Sequence, residues 1–345
     1  MRNKEISILV VGAGAIGGIT AAFLKREGYN VGIVCKYDDY AKTISNDGIH
    51  VTGVCGNFTV TIPAWSDIKD VQVKKDLVLL ATKATEMIGA ARELKNVLKD
   101  KGQVVSMQNG ICEDDLAEVL GREKIIGCVT GWGATMISRG SLEMTSAGEF
   151  ILGYTDRPAD TYLYDLAGIL SSVVPTAVTD NILGHLYSKL IVNACITSLG
   201  AICGLYLGKM LSVTKIRKIF IEIIREAVAV SDAMNIKLEV FGERLDFHKF
   251  IMGDNLTASL RRHLTILFIG FRYRRLKSSS LQSLERGKPT EVDYLNGYIV
   301  RNGMSRNIAV PVNSAITGMI HEIEQKKRDI SPDNFNDPVF DCFDN

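Results

Sequence analysis

The sequence carries no surplus of charge. Forty Lys and Arg stand against 39 Asp and Glu, a net of +1. A general nucleic-acid binder needs a large basic excess, so that class is set aside. C-x-x-C pairs are also missing. The seven cysteines (35, 55, 112, 128, 195, 203, 342) are odd in number and scattered, several inside apolar runs where cysteine acts as a small hydrophobe. A reducing, cytoplasmic setting is expected rather than a disulfide framework. The five histidines (50, 185, 248, 263, 321) lack metal-ligand spacing, and neither H-E-x-x-H nor a Cys/His cluster occurs; no metal is expected. There is no flexible linker and no internal repeat. Met1-Arg2-Asn3-Lys4-Glu5 lead straight into an apolar strand, so no signal peptide is expected. One stretch, 190–208, is free of charge, but Asn193, Thr197 and Ser198 interrupt it and it is rich in Gly and Ala. A buried helix is expected there, with no membrane partner.

What is present begins at once. Ile6-Ser7-Ile8-Leu9-Val10-Val11 is a β-branched apolar run that reads as a buried parallel strand. It enters Gly12-Ala13-Gly14-Ala15-Ile16-Gly17-Gly18, a G-x-G-x-x-G match followed by a helical segment and a second strand, 31–35. In that context Gly12 permits the tight turn, Gly14 lets a pyrophosphate approach, and Gly17 lets helix and strand pack closely. The helix N-terminus, with Ala15 and Ile16, offers N–H groups to the phosphates. This predicts a dinucleotide site.

An NAD site usually ends its second strand with Asp or Glu for the ribose 2′-OH. Here the strand ends in Cys35-Lys36-Tyr37. Lys36 attracts a 2′-phosphate, so NADP(H) is expected; Asp38 and Asp39 follow closely, and a plain solvated lysine is the alternative reading.

At 345 residues with 46% hydrophobic content, the chain suits two domains with a core each. Up to residue 180 the pattern is α/β, with a hairpin around Gly56-Asn57 and buried strands ending at Thr82-Lys83 and at Gln108-Asn109-Gly110. In an open doubly wound sheet ligands bind at such carboxyl ends, which makes Lys83 and Asn109 candidates beside the glycine loop. From 181 to 330 helices replace strands, over about 184–204, 212–234, 256–271 and 312–327. The acidic tail, 331–345, lacks helical pattern and is expected to pack loosely or fray.

Lys189, Asn193 and Thr197 fall at i, i+4 and i+8 of one helix, hence on one face, among apolar and small neighbours. Polar groups on a buried helix need a partner or a ligand. A lysine beside a cleft can act as general acid; the alternative is a lysine meeting solvent. Glu291 follows Pro289-Thr290, where a helix can start with a carboxylate in its first turn, or it is a carboxylate facing a ligand. Arg261, Arg262, His263, Arg272, Arg274, Arg275 and Lys277 surround an apolar run, 264–271; charges flanking an apolar helix read as a solvated face.

Taken together, GAGAIGG, Thr82-Lys83-Ala84, Gln108-Asn109-Gly110, Lys189-Leu-Ile-Val-Asn193, the Ser-Leu-Gln segment and Thr290-Glu291-Val-Asp293-Tyr resemble the ketopantoate reductase (2-dehydropantoate 2-reductase) family along essentially the whole chain. The resemblance implies an α/β Rossmann domain with a doubly wound, mostly parallel sheet, 1–180, which binds NADPH. It implies an all-α substrate and catalytic domain, 181–330, with the active site between them. By the same resemblance Lys189 is the proton donor and Glu291 the carboxylate that hydrogen-bonds the substrate hydroxyl. Asn109 and Asn193 orient substrate and cofactor, Ser279 holds the substrate carboxylate, Lys83 lies near the nicotinamide ribose, and Lys36 takes the 2′-phosphate. The expected partner is a small 2-oxo acid, and a homodimer is left open. The chain departs from the family at Thr197-Ser198-Leu199-Gly200-Ala201, where members commonly have Asn-Pro-Leu-Thr-Ala, and in a longer stretch over 241–277. Thr197 therefore puts the substrate in doubt. The rival readings are a reductase of another 2-oxo acid and a non-catalytic NADP(H) sensor.

Overall fold

A strand that is apolar without alternation must be covered on both faces. The first one, β1 (Ser7–Val11), is buried at every position of the computed structural model, which describes residues 4–242 and 245–343. After it come α1 (Ala15–Arg26), β2 (Asn30–Val34), α2 (Asp38–Asn46), β3 (Ile49–Gly53), β4 (Phe58–Val60), β5 (Ala64–Trp65) and β6 (Lys75–Leu80). Then follow α3 (Met87–Val97), β7 (Leu98–Ser106), α4 (Glu113–Leu120), β8 (Ile125–Thr130), β9 (Gly133–Ser138), β10 (Ser141–Ser146), β11 (Phe150–Tyr154), α5 (Thr161–Leu170) and β12 (Thr176–Val178). Eight strands form one sheet in the order β12-β11-β8-β7-β6-β1-β2-β5. All its neighbours are parallel except β8 and β11. The order reverses beside β1, so the carboxyl ends of β1, β2 and β6 share one edge.

The hairpin expected at 50–62 forms, with Val51 opposite Phe58. It does not extend the main sheet. It joins β9 and β10 in a separate four-stranded sheet, β4-β3-β10-β9, that packs on α1. A Cβ on Gly18 of α1 would sit 2.4 Å from Leu142 of β10, which is how closely helix and second sheet meet.

The remaining helices are α6 (Ile182–Cys203), α7 (Leu207–Ser212), α8 (Thr214–Ala233), α9 (Phe247–Ile251), α10 (Leu256–Arg272), α11 (Ser279–Glu285), α12 (Asn296–Met304) and α13 (Pro311–Glu324). The chain divides into two compact units. One holds the strands, up to Gln108 and again over Cys112–Ile182; the other holds Asn109–Ile111 with everything from Leu183. Among the described residues, α6 is the helix long and apolar enough to cross a membrane, and most of it is buried. A polar chain crosses the helical core. Ser198 of α6 donates to Asn296, Asn296 donates to the Ala194 carbonyl and to Asn313 Oδ1 (2.9 Å), and Asn313 donates to Glu226 of α8 (2.6 Å). Glu226 also accepts from the N–H groups of Val312 and Asn313, so it caps α13 from another helix. Burial pushes its carboxyl pKa up, and those hydrogen bonds oppose the shift.

Three expectations need correction. The tail is not loose where described: two 3₁₀ helices, Pro332–Asn336 and Pro338–Phe343, bury Phe335 and Phe340, and Arg328 pairs with Asp337 at 3.1 Å. Residues 344–345 lie outside the described residues. No α-helix starts at 289–291; Glu291 precedes a single 3₁₀ turn, Val292–Tyr294, and α12 begins at Asn296. The charges around the run 264–271 are not all a solvated face: α10 buries Arg262 together with Ile266 and Gly270, while Leu264, Leu267, Phe268 and Phe271 of the run are exposed.

One buried carboxylate stands out in the strand-bearing unit. Glu113 opens α4, is almost wholly buried, and accepts from the Cys112 N–H at 2.9 Å. Burial raises its pKa from about 4.5 to about 7, against the pull of its own and Cys112's N–H groups and of Ser106. The folded carboxyl holds its proton more tightly than the unfolded one. Stability from this site is therefore complete below about pH 4.5 and is lost as pH rises toward 7, by on the order of 3 kcal/mol. Measured as Tm, the parent should lose more between pH 5 and 8 than Glu113→Gln does; parallel profiles would contradict this. For the tail, Phe340→Ala should cost about 3–5 kcal/mol in denaturant unfolding, whereas a frayed tail would show no change.

Candidate cofactor and active site

Where β1 ends, the backbone is crowded. Gly12 donates to the Val34 carbonyl (2.9 Å) and the Ala81 N–H donates to Val11 (2.8 Å), so the loop is pinned between the ends of β2 and β6. Gly12 has φ +108°, and a Cβ there would lie 2.7 Å from the Ala81 carbonyl. On Gly17 it would lie 2.1 Å from the Gly12 oxygen. Both positions exclude any side chain. Gly14 differs: it is exposed, and a Cβ there would meet nothing within 4 Å. It is also the N-cap of α1, which has no side-chain cap and no acidic residue in its first turn. The N–H groups at Gly14, Ala15 and Ile16 thus border an open, electropositive helix end, which fits a dinucleotide pyrophosphate.

Lys36 follows β2 and is largely exposed. Its ammonium donates to Glu86 Oε1 at 2.8 Å, which raises its pKa. The carboxylate missing from the end of β2 in the sequence is thus supplied from the 3₁₀ turn Ala84–Glu86 after β6. A second cation stands nearby. Arg139, from the turn between β9 and β10, lies 4.3 Å over the Tyr37 ring and pairs with Asp39. Tyr40 donates to the Ala13 carbonyl at 3.1 Å and ties α2 to the glycine loop. Sequence reasoning missed Glu86, Arg139 and Tyr40, since their contacts with Lys36, Asp39 and Ala13 span 27 to 100 residues of chain. Lys83 is half-buried, and its carbonyl accepts from the Glu86 N–H at 2.9 Å. The glycine loop, Lys36 and Lys83 all lie at the carboxyl ends of β1, β2 and β6.

The other candidates belong to the helical unit. Lys189 and Asn193 are half-buried and share a partly open face of α6 with His185, Val192 and Ile196. Thr197 continues the row but is buried, and its hydroxyl donates to the Asn193 carbonyl at 2.7 Å. That bond spends its hydrogen inside the helix. Gly200, in the segment that departs from the family pattern, receives Ser278: a Cβ there would be 2.8 Å from the serine's own. Ser278 caps α11 by accepting from the Leu281 N–H (3.1 Å), and Ser279 is exposed at the first position of that helix. Glu291 is half-buried next to Thr290, whose N–H and hydroxyl both donate to Glu324 Oε1 of α13 at 2.7 Å. Asn109 is half-buried. Gly110 beside it has φ +89° and lies so close to Tyr294 that a Cβ would be 2.4 Å from its carbonyl oxygen. Asn109 and the Glu291 turn are thereby neighbours. Thr290 and Glu324 were not legible in the sequence as supports, because their contact spans 34 residues.

Known proteins share this architecture. The family described as ketopantoate reductase PanE/ApbA matches residues 8–157, and its C-terminal part matches residues 181–324. A 2-dehydropantoate 2-reductase of Pyrococcus abyssi is 27% identical over 316 residues, which is 91% of this chain and 97% of the relative. Among solved structures, a PanE/ApbA family ketopantoate reductase from Ralstonia eutropha JMP134 superposes with TM-score 0.79 at 28% identity, covering 93% of this chain and 99% of that one. A D-mandelate dehydrogenase, solved with NADH and anilino(oxo)acetate, gives TM-score 0.80 at 22% identity over 93% and 99%; at that identity the likeness is one of fold. Matched by the family over both of its parts, the chain belongs to the ketopantoate reductase family of oxidoreductases.

Proposed function

We propose that the chain reduces a branched 2-oxo acid to the 2-hydroxy acid with NADPH in the cytoplasm, ketopantoate to pantoate in pantothenate biosynthesis being the first candidate. The observation that carries this reading is the placement of Lys189 and Asn193 on the partly open face of α6, a helix whose other faces are buried. An ammonium on such a half-buried face is partly desolvated, which suits a general acid.

The reduced nicotinamide supplies a hydride to the ketone carbon. Lys189 hydrogen-bonds the ketone oxygen, stabilises the negative charge that grows there, and gives up the proton that completes the hydroxyl. Asn193 and Asn109 orient the reactants, and Glu291 accepts a hydrogen bond from the substrate hydroxyl. Ser279 donates to the substrate carboxylate. The backbone at Gly12, Gly14, Ala15, Ile16 and Gly17 cradles the pyrophosphate, Lys83 serves the nicotinamide ribose, and Lys36 pairs with the 2′-phosphate. A different 2-oxo acid is the second reading. Thr197 favours it, because its hydroxyl hydrogen is already spent on Asn193 where the family pattern has an amide. Removing a substrate hydrogen bond is worth roughly 0.5–1.5 kcal/mol, enough to reorder similar substrates.

Lys189→Ala should lower kcat about 10²–10⁴-fold and leave NADPH affinity near the parental value. Lys189→Gln should not restore the rate, since an amide is too weak an acid. A folded Lys189→Ala protein with near-parental kcat would overturn the assignment. On the cofactor side, fluorescence titration should find NADPH bound more tightly than NADH. Glu86→Gln should widen that gap by releasing Lys36, and Lys36→Glu should narrow or reverse it. Equal parental affinities, or no response to either substitution, would count against the 2′-phosphate role.

A further inference from the structure

Glu113 opens α4, and Ser106 and Gln108 stand where β7 ends. All three are at most 5% exposed, and the proposed chemistry uses none of them. The Ser106 hydroxyl donates to Gln108 Oε1 at 2.9 Å, and Gln108 Nε2 donates to the Thr82 hydroxyl at 3.4 Å. Ser106 also hydrogen-bonds the Glu113 carboxyl. A polar line therefore runs from the start of α4, past the end of β7, to the residue before Lys83. Thr82 borders the glycine loop as well: a Cβ on Gly12 would lie 2.8 Å from its nitrogen.

A serine hydroxyl has one hydrogen to give. Here it goes to Gln108, so the bond between Ser106 and Glu113 takes its hydrogen from the carboxyl. A protonated Glu113 supplies that hydrogen and still accepts from the Cys112 N–H. An ionised Glu113 has none, and Ser106 must turn its own toward the carboxylate. Gln108 Oε1 then loses its donor, or the buried amide turns over and Nε2 leaves Thr82. Either way the far end of the line changes. Burial lifts the Glu113 pKa to about 7, so this exchange falls near neutral pH. Asp114 beside it adds to the rise and pairs with Arg122 at 2.8 Å. The elements packed on α4 include α3, β8 and the 3₁₀ turn Arg122–Lys124. Their charged side chains, Arg92, Glu93, Lys95, Arg122, Glu123 and Lys124, are exposed or half-buried, and the buried thiols nearby are Cys112 and, on β8, Cys128.

We propose that Glu113 is a positioning residue: its proton sets the direction of the line Glu113–Ser106–Gln108–Thr82, and the glycine loop and Lys83 bind NADPH tightly only with that proton in place. The inference rests on the cofactor role proposed above for those residues. Complementing the dipole of α4 does not call for a buried acid, since Asp114 and Asp115 already stand in its first turn. Because the protonated form binds better, affinity is full at low pH and falls as pH rises through about 7. Reciprocally, NADPH binding draws a proton onto Glu113.

Fluorescence titration of the full chain with NADPH at a series of pH values tests this. The 2′-phosphate also titrates near about pH 6, so each variant is read against the parent. Glu113→Gln keeps the donor of the protonated acid and cannot lose it. Between about pH 5.5 and 8.5 the parental Kd should rise about tenfold more than that of Glu113→Gln, the loss of one buried hydrogen bond. Ser106→Ala interrupts the line in either state, so it should bind NADPH several-fold less tightly than the parent at low pH and lack the parental step. This arm decides the matter even where Glu113→Gln fails to fold. Parallel profiles for the parent and Glu113→Gln would overturn the proposal and leave Glu113 a role in stability alone. A Ser106→Ala protein that keeps the parental step would overturn it too. A parent that binds no NADPH at any pH would overturn the cofactor reading, and this inference with it.

Discussion

Polar groups buried among apolar side chains must find partners, and the helical unit is arranged to supply them. Glu226, Asn313, Asn296 and Ser198 link α8, α13, α12 and α6 in one chain of direct hydrogen bonds. Leaving one such group unpaired costs about 1–3 kcal/mol, so these helices cannot slide past one another without losing that much at each step. The candidate residues sit on what this chain fixes. Lys189 and Asn193 are nine and five residues before Ser198 on α6, and the Glu291 turn is anchored through Thr290 to Glu324 on α13. The polar core therefore positions the candidate site, although none of its four members belongs to it.

In the strand-bearing unit the constraint is steric. Gly12 and Gly17 exist because Ala81 and the loop's own backbone fill the space a side chain would need. Gly14 differs, since no protein atom would meet a Cβ there, and close approach of a pyrophosphate is what the motif uses a glycine for at this position. The three glycines of one motif thus separate into two that serve the fold and one that is open to a cofactor. Around them the charges are more balanced than the end of β2 suggests. Lys36 is matched by Glu86, and Arg139 by Asp39.

The parts of the fold set by local pattern were legible. The glycine loop, the central buried strands, the change to helices near residue 180 and the 50–60 hairpin all follow from periodicity and turn residues within short windows. What the sequence hid depends on long-range contact. The pairing of β3 with β10 spans about ninety residues, so the second sheet left no local mark. The tail was misjudged because Phe335 and Phe340 carry no helical period, yet they are buried. The apolar run of α10 misled in the other direction: its composition reads as core, and only the surrounding helices decide that it faces out. Within the candidate site the residues proposed to touch a ligand were nameable from motif and family resemblance. Those that hold them, such as Thr290, Glu324, Glu86 and Tyr40, were not.

The proposed chemistry is transfer of hydride to a 2-oxo acid. The direct test is to incubate the protein with ketopantoate and NADPH deuterated at the transferable C4 position, and to read the product by mass spectrometry and NMR. Pantoate carrying one deuterium at C2 is the expected product. A protein that binds NADPH yet places no deuterium on ketopantoate or on any of a panel of 2-oxo acids would contradict it, and would point instead to a cofactor-binding protein without this chemistry.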